Sequence, residues 1–410
     1  MVVTVDILKN VYGGDGMARL GDGRVCFIPG VFAGETVKAK IVEEKRNFTR
    51  AKLVEITKAS PDRIPHPADA TPGMVYSDVT PQAEMRFKTD QIENFLWKIQ
   101  QSLVPLEVRP LPDECFLNYR NKAVYHIDKQ DGQWKIGYRK EPSHEIVDIA
   151  EDPLVLPGIN AMIPVARSSV LSLLTQGSGA VRKAAAKSAT NVTIRWTPID
   201  GGHWWFGNPP EGLEFCEQTA GLKFRVAAGG FYQVNPRVGD ELVKIVRGMY
   251  LANIAETPDI LDLYCGVGVF GITCAKAAAM QGVKPRLTGI EADAPAISAA
   301  KKNAASANVD GRFFCERVGA NLRRIKVTPR HTVIVDPPRG GLEKGVSQWL
   351  ARGTAGRIVY VSCDPATLVR DLVPMMATYK IEKTVMLNMF PRTARFETLC
   401  LLTRKDSGNV

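Results

Sequence analysis

Residues 258–271, Pro-Asp-Ile-Leu-Asp-Leu-Tyr-Cys-Gly-Val-Gly-Val-Phe-Gly, constrain this 410-residue chain more than any other stretch. An apolar run ends at Leu263, then Gly266, Gly268 and Gly271 open an apolar helix running from Val269 to about Met280. A buried strand turning through glycines into a helix start lets a nucleotide reach backbone N–H groups and a helix N-terminus. The spacing is G-x-G-x-x-G, and Glu291 follows about twenty residues later, where an acid would hold ribose hydroxyls. That pattern suits NAD. Asp262 points elsewhere, because a carboxylate just before the loop suits a cationic ligand such as S-adenosylmethionine better than a pyrophosphate. A structural glycine turn and a nicotinamide oxidoreductase remain the competing readings.

From about Leu222 onward, strands and helices alternate. Strands are expected near 259–263, 286–290, 311–315, 332–335, 357–361, 381–387 and 397–403, with helices between most of them. This predicts an α/β, doubly wound, Rossmann-like sheet with its ligand at the carboxyl ends of the strands. The last two strands lack an intervening helix, which suits an antiparallel hairpin at one edge. Residues 1–58 read as short strands broken by glycine turns, enough for a small OB-like β-barrel. Lys38, Lys40, Lys45, Arg46, Arg50 and Lys52 concentrate positive charge there. They form either a solvated surface or a groove that tracks a phosphate backbone. Residues 59–81 look like a linker. A helix from Gln82 to about Leu103 opens a mixed α+β domain, 82–221, that includes a basic loop at Arg182, Lys183 and Lys187. The third domain is 222–410.

Net charge is +10, which suggests an anionic partner. No apolar stretch approaches the ~18 residues of a membrane span and no leader is visible, so a cytoplasmic protein without membrane contact is expected. The eight cysteines show no C-x-x-C and no metal-ligand spacing, and most are expected to be buried small hydrophobes.

Cys363 stands apart. It lies where a strand, Tyr360-Val361-Ser362, runs into a helix start at Pro365, and a helix N-terminus favours the thiolate. Asp336, ending the strand before Pro337-Pro338, and Glu397 arrive at the same sheet edge. A nucleophile, an orienting acid and a separate base make a covalent mechanism.

Five ordered motifs then carry a resemblance: Phe231-Tyr232-Gln233-Val234-Asn235, Asp262 to Gly268, Asp336-Pro337-Pro338-Arg339-x-Gly341, Ser362-Cys363-Asp364-Pro365-x-Thr367-Leu368, and Pro391-x-Thr393-x-x-x-Glu397. Together they resemble the RNA uridine-C5 methyltransferase family, and residues 1–58 resemble its TRAM RNA-binding module. The resemblance implies an S-adenosylmethionine-dependent enzyme that forms 5-methyluridine. Cys363 would be the nucleophile at uracil C6 and Glu397 the acceptor of the C5 proton. Gln233, Tyr264, Gly266, Gly268, Glu291 and Asp336 would hold the cofactor. Phe231, Asp336 and Arg339 would meet the RNA, whose target base must leave its stack. The RNA implied is 23S rRNA, with tRNA as the alternative substrate and a non-catalytic RNA-binding relative as the alternative function. A monomer is expected.

The chain departs from the family at several points. Many members hold an iron–sulfur cluster on cysteines that are missing here from 66–74 and from near Asp152, so no cluster and no metal are expected. Arg395 stands where histidine is usual two residues before the base, and the acid usual before Phe390-Pro391 is missing. Val269 replaces a polar residue, and 318–321 lacks the usual aspartate near adenine.

Overall fold

The computed structural model describes residues 1–99, 106–140, 143, 145–176, 191–320, 322 and 324–405. The basic loop around Arg182, Lys183 and Lys187 lies outside the described residues.

The N-terminal region has six strands: β1 (Val2–Asp6), β2 (Lys9–Asn10), β3 (Gly16–Arg19), β4 (Val25–Ile28), β5 (Thr36–Glu44) and β6 (Phe48–Lys58), in the sheet order β1-β5-β6-β4-β3-β2. The two ends of that order, β1 and β2, are successive parts of one segment. Ile7 N–H reaches Glu35 O (2.8 Å) and Leu8 N–H reaches Met17 O (2.9 Å), so the sheet closes on itself as a barrel. Alternate residues such as Val37, Ala39 and Ala51 fill its interior.

The expected linker carries no helix or named strand, yet it is packed. Tyr76 and Val79 are fully buried with Phe32 of the barrel and Phe87 of the following helix. That helix, α1 (Pro81–Trp97), is capped by Thr80 and stops short of Leu103. It does not open the central domain: Ile92 and Leu96 belong to the apolar layer under the C-terminal sheet.

The central layer is a five-stranded antiparallel sheet of β8 (Lys122–Gln130), β9 (Gln133–Lys140), β10 (Glu145–Asp148), β11 (Asn191–Thr197) and β12 (Gly201–Phe206). It is covered by helix Ile163–Gln176, which a short turn separates from helix Pro157–Asn160. A hairpin, β13 (Glu214–Thr219) and β14 (Leu222–Ala227), leads out of it.

The C-terminal sheet orders β17 (Gly311–Cys315), β16 (Leu287–Glu291), β15 (Asp259–Leu263), β18 (His331–Val335), β19 (Arg357–Ser362), β21 (Glu397–Arg404), β20 (Tyr379–Leu387) and β7 (Leu106–Val108). The first five are parallel, as right-handed crossovers through helices require. The β20–β21 hairpin is antiparallel but does not form the edge. The edge is β7, which comes from before the central sheet and runs parallel to β20. Apolar layers cover both faces. Among the described residues no helix is long and apolar enough to cross a membrane.

Candidate active site

The glycine loop follows from local sterics. Gly266 (φ +53°) and Gly268 (φ +86°) adopt left-handed backbone, and Gly268 is the residue from which helix Val269–Met280 starts. Gly271 is required by approach: a Cβ there would lie 2.7 Å from Leu287 and 2.8 Å from Asp262 Oδ2. Asp262 is therefore not presented to a ligand directly. It is fully buried on β15 and accepts the Gly271 N–H at 2.9 Å, which pins the helix start, while its Oδ1 has no partner. Burial first, then Asp336 and Glu291, push its carboxyl up to about 7.

Glu291 ends β16 and folds its carboxylate onto the backbone, accepting from Gly266 (3.2 Å), Ala292 and Asp293 N–H groups. Tyr264 follows β15 with φ +62°, and its hydroxyl accepts the Glu343 N–H at 3.2 Å. A Cβ on Gly266 would meet nothing within 4 Å, so the loop backbone faces open space. The bare loop, the acid at the end of the next strand and the unpartnered Asp262 Oδ1 together fit a nucleoside carrying a cationic group.

Four neighbouring strands in the sheet, β15, β18, β19 and β21, bring the remaining groups together. Leu263 is paired with Val335, so Tyr264 and Asp336 leave adjacent strand ends. Val335 pairs with Tyr360, which sets Asp336 beside the end of β19. β21 runs the opposite way, and its register pairs Ser362 with Thr398. One step further out, Cys363 stands across from Glu397.

The environment reverses the expectation for the thiol. The helix N-terminus behind Cys363 is already occupied: Asp364 caps it, accepting from Ala366 (3.0 Å) and Thr367 (3.2 Å) N–H groups. Burial, then Glu397, Asp336 and Asp364, push the Cys363 thiol up to about 12. Burial and three nearby carboxyl groups outweigh one short helix. Asp336 is half-buried and pushed up to about 7 by loss of solvation, and burial with Asp336 beside it raises Glu397 well above the usual carboxylate range. The free site is therefore rich in protons at neutral pH.

The Phe231-to-Asn235 motif divides its labour. Phe231 is 73% exposed, an unusual position for a large apolar ring unless something stacks on it. Tyr232 points inward to Thr219 Oγ1 at 2.5 Å, and Gln233 is half-buried. Asn235 caps helix Pro236–Leu251 and donates to Met389 O at 3.2 Å. Arg339 is exposed in the loop beyond Asp336, its carbonyl accepting from Thr367 Oγ1 at 3.4 Å.

Two groups here were not singled out from sequence. Lys88 of α1 is fully buried, and burial lowers its pKa. It donates to Glu84 and Asn388 at 2.7 Å each, and Glu84 accepts the Arg392 N–H at 3.0 Å. This pair holds the loop leading to Glu397. A Glu–Lys pair at i, i+4 ordinarily signals a solvated helix face, so the sequence concealed it. The other group is Tyr12, from the barrel. Of the eight thiols, Cys26, Cys265, Cys274 and Cys400 are buried, Cys115, Cys216 and Cys363 are half-buried, and Cys315 is exposed, so only half are core hydrophobes.

The stretches that hold an iron–sulfur cluster in many RNA uridine-C5 methyltransferases still meet. Ala70 and Met74 pack on Tyr119 and Leu154. That apolar contact, without a thiol in either stretch, does not fit such a cluster.

Residues 216–405 match the family model described as tRNA (uracil-5-)-methyltransferase, and residues 1–54 match the TRAM domain. The chain is 30% identical to an RNA methyltransferase of Streptomyces avermitilis, covering 98% of each. It is 28% identical to a 23S rRNA (uracil(1939)-C(5))-methyltransferase of Shewanella amazonensis, covering 92% of this chain and 90% of the relative. In fold it is similar to the Pyrococcus abyssi tRNA (uracil-54, C5)-methyltransferase solved with S-adenosyl-L-homocysteine. The TM-score is 0.72 at 24% identity, over 97% of this chain and 99% of that one.

Proposed function

The chain belongs to the RNA (uracil-C5) methyltransferase family, and we propose that it methylates C5 of a uridine in 23S rRNA through a covalent Cys363 adduct. Its cofactor is S-adenosylmethionine. The observation that carries the reading is the β19–β21 register, which sets Cys363 across from Glu397 with Asp336 on the adjoining strand end.

Uracil C5 is a poor nucleophile. Cys363 Sγ, as thiolate, adds to C6; the ring electrons then make C5 nucleophilic. When bound, S-adenosylmethionine supplies the methyl group and places a positive charge near these acids. Glu397, as carboxylate, then accepts the C5 proton; the C5–H electrons reform the ring double bond, the S–C6 bond breaks, and Cys363 leaves as thiolate. Asp336, beside Glu397, shares the proton load and orients the base. A cation beside three carboxyl groups and a thiol lowers the pKa of each, so the resting site stays inert until it is loaded. Gln233, Tyr264, Gly266, Gly268 and Glu291 line the cofactor side. Exposed Phe231 stacks on or beside the extruded base, and Arg339 meets the RNA backbone.

Support for an RNA substrate comes from the barrel. Lys40 and Lys52 stand directly opposite each other on β5 and β6, both exposed and without an acidic partner among the described residues. Like charges paired across strands are unfavourable alone and are relieved by a phosphate. Support for 23S rRNA comes from relatives of that activity spanning nearly the whole chain, barrel included. We propose a monomer acting in the cytoplasm.

The test is to map 5-methyluridine in 23S rRNA and tRNA from cells with and without the gene. Loss of one rRNA site is expected. Loss confined to tRNA would move the substrate, and no loss in either would leave an RNA-binding relative without catalysis.

A further inference from the structure

The barrel reaches into the catalytic loop. Its β2–β3 turn places Tyr12 between Phe95 of α1 (centroids 6.1 Å apart, 90°) and Phe396, the neighbour of Glu397 (5.7 Å, 83°). The hydroxyl hydrogen of Tyr12 is shared between Cys363 O and Asp364 Oδ2, each 3.3 Å away. The same oxygen accepts from Arg395 Nη1 at 2.6 Å, and that nitrogen also reaches Asp364 Oδ2 at 3.2 Å. The Arg395 guanidinium lies 5.3 Å from the Tyr12 ring centroid.

The turn is itself held rigidly. Asn10 is buried and donates to Val31 O at 3.0 Å and Gly14 O at 3.4 Å, while Gln91 of α1 donates to Asn10 O at 3.3 Å. Gly14 (φ +97°) approaches so closely that a Cβ would lie 2.7 Å from Val75. A turn that only displayed RNA-binding side chains would not need this fixation.

We propose that Tyr12 and Arg395 are positioning residues for Cys363, making the N-terminal barrel part of the active site and not a separate RNA-binding module. They act through Asp364: Tyr12 braces the carbonyl of the nucleophile and its neighbour's carboxylate, and Arg395 neutralises that carboxylate. Asp364 adds to the negative field that Glu397 and Asp336 set on Cys363, and Arg395 pairs with Asp364 at 3.2 Å. Tyr12 is half-buried, with two rings and a guanidinium packed against it. RNA seated on the barrel thereby steadies the nucleophile it is to meet.

The inference rests on the Cys363 reading and is tested so that the two fail separately. RNA bearing 5-fluorouridine is mixed with full-length protein and S-adenosylmethionine, and covalent complex is timed at saturating RNA across pH 7–9. Tyr12→Phe, which keeps the ring packing, is expected to slow adduct formation about tenfold. Its RNA dissociation constant should stay within about twofold. Arg395→Ala is expected to slow it about tenfold at every pH in that range, and Arg395→Lys to recover most of the loss. Equal rates for Tyr12→Phe and wild type, or a loss confined to RNA affinity, would overturn the proposal. If wild type formed no adduct that Cys363→Ala removes, the failure would lie with the nucleophile assignment.

Discussion

The barrel and the C-terminal sheet solve opposite electrostatic problems. On the barrel, charge is at the surface and partly answered locally: Lys38 meets Glu55 at 2.9 Å, Lys45 meets Glu43 at 3.1 Å, and Arg50 meets Asp15 at 3.4 Å. Exposed pairs of this kind contribute little, about 0–1 kcal/mol each, and dissolve in salt. At the sheet's strand ends, Asp262 and Glu397 are buried and Asp336 is half-buried, none with a salt-bridge partner among the described residues, and each carboxyl is raised. A surface can spare its charges for a partner. A buried site must store its charges as neutral acids and ionise them only when a ligand brings a cation. The +10 net charge thus says less about RNA than the unanswered Lys40 and Lys52 on facing strands.

The largest expected effect separates the two acid–base roles in the sheet. Cys363→Ala is expected to abolish covalent complex on denaturing gels. Glu397→Gln is expected to accumulate it with the methyl already transferred, since addition survives and elimination does not. A Glu397→Gln protein that turned over normally would remove Glu397 as the base.

Next in size is the pH dependence of adduct formation. A thiol raised to about 12 in the free protein is protonated throughout the accessible range. At low cofactor, the rate should therefore climb about tenfold per pH unit from 7 to 9. A plateau below pH 7.5 would mean that the thiolate already exists at rest, and the contrast with the barrel would collapse.

On the barrel, Lys40→Glu with Lys52→Glu is expected to weaken RNA binding about tenfold at low salt and to reduce the salt slope by about two. Cofactor binding, followed by calorimetry, should not change. An unaltered salt slope would assign phosphate contact to another surface.

A smaller effect concerns Asp262. Its folded pKa, about 7, lies above the unfolded value near 3.8. The stability contributed by its neutral form is full below the lower value and is lost as pH rises through the higher. Asp262→Asn keeps an acceptor for Gly271 and cannot ionise. Relative to it, wild type should lose a few kcal/mol between pH 4 and 8. Parallel unfolding curves would show that Asp262 is ionised in the fold. Smallest of all, chelators and air should leave melting temperature and activity unchanged, and stoichiometric iron in purified protein would contradict the packing of Met74 on Tyr119 and Leu154.

Local chemistry made much of this legible in sequence. Glycines mark the loop because left-handed backbone and the close approach of Leu287 to Gly271 exclude side chains, and alternating strands and helices impose the parallel sheet. Motifs that end strands fall at one sheet edge for the same topological reason. What tertiary structure alone decided depends on partners far away in the chain. The edge strand Leu106–Val108 is three residues long, with no periodicity to announce it, and exists only because β20 offers a free side. Lys88 looks like a surface lysine until Asn388 and Glu84 enclose it. The helix behind Cys363 suggested a low pKa, but burial, then Glu397 and Asp336 from other strands, set the sign. Tyr12 sits in a glycine turn 351 residues from Cys363. Its contact with the nucleophile's carbonyl is encoded in packing, because burial and field strength are properties of what surrounds a residue and not of the residue itself.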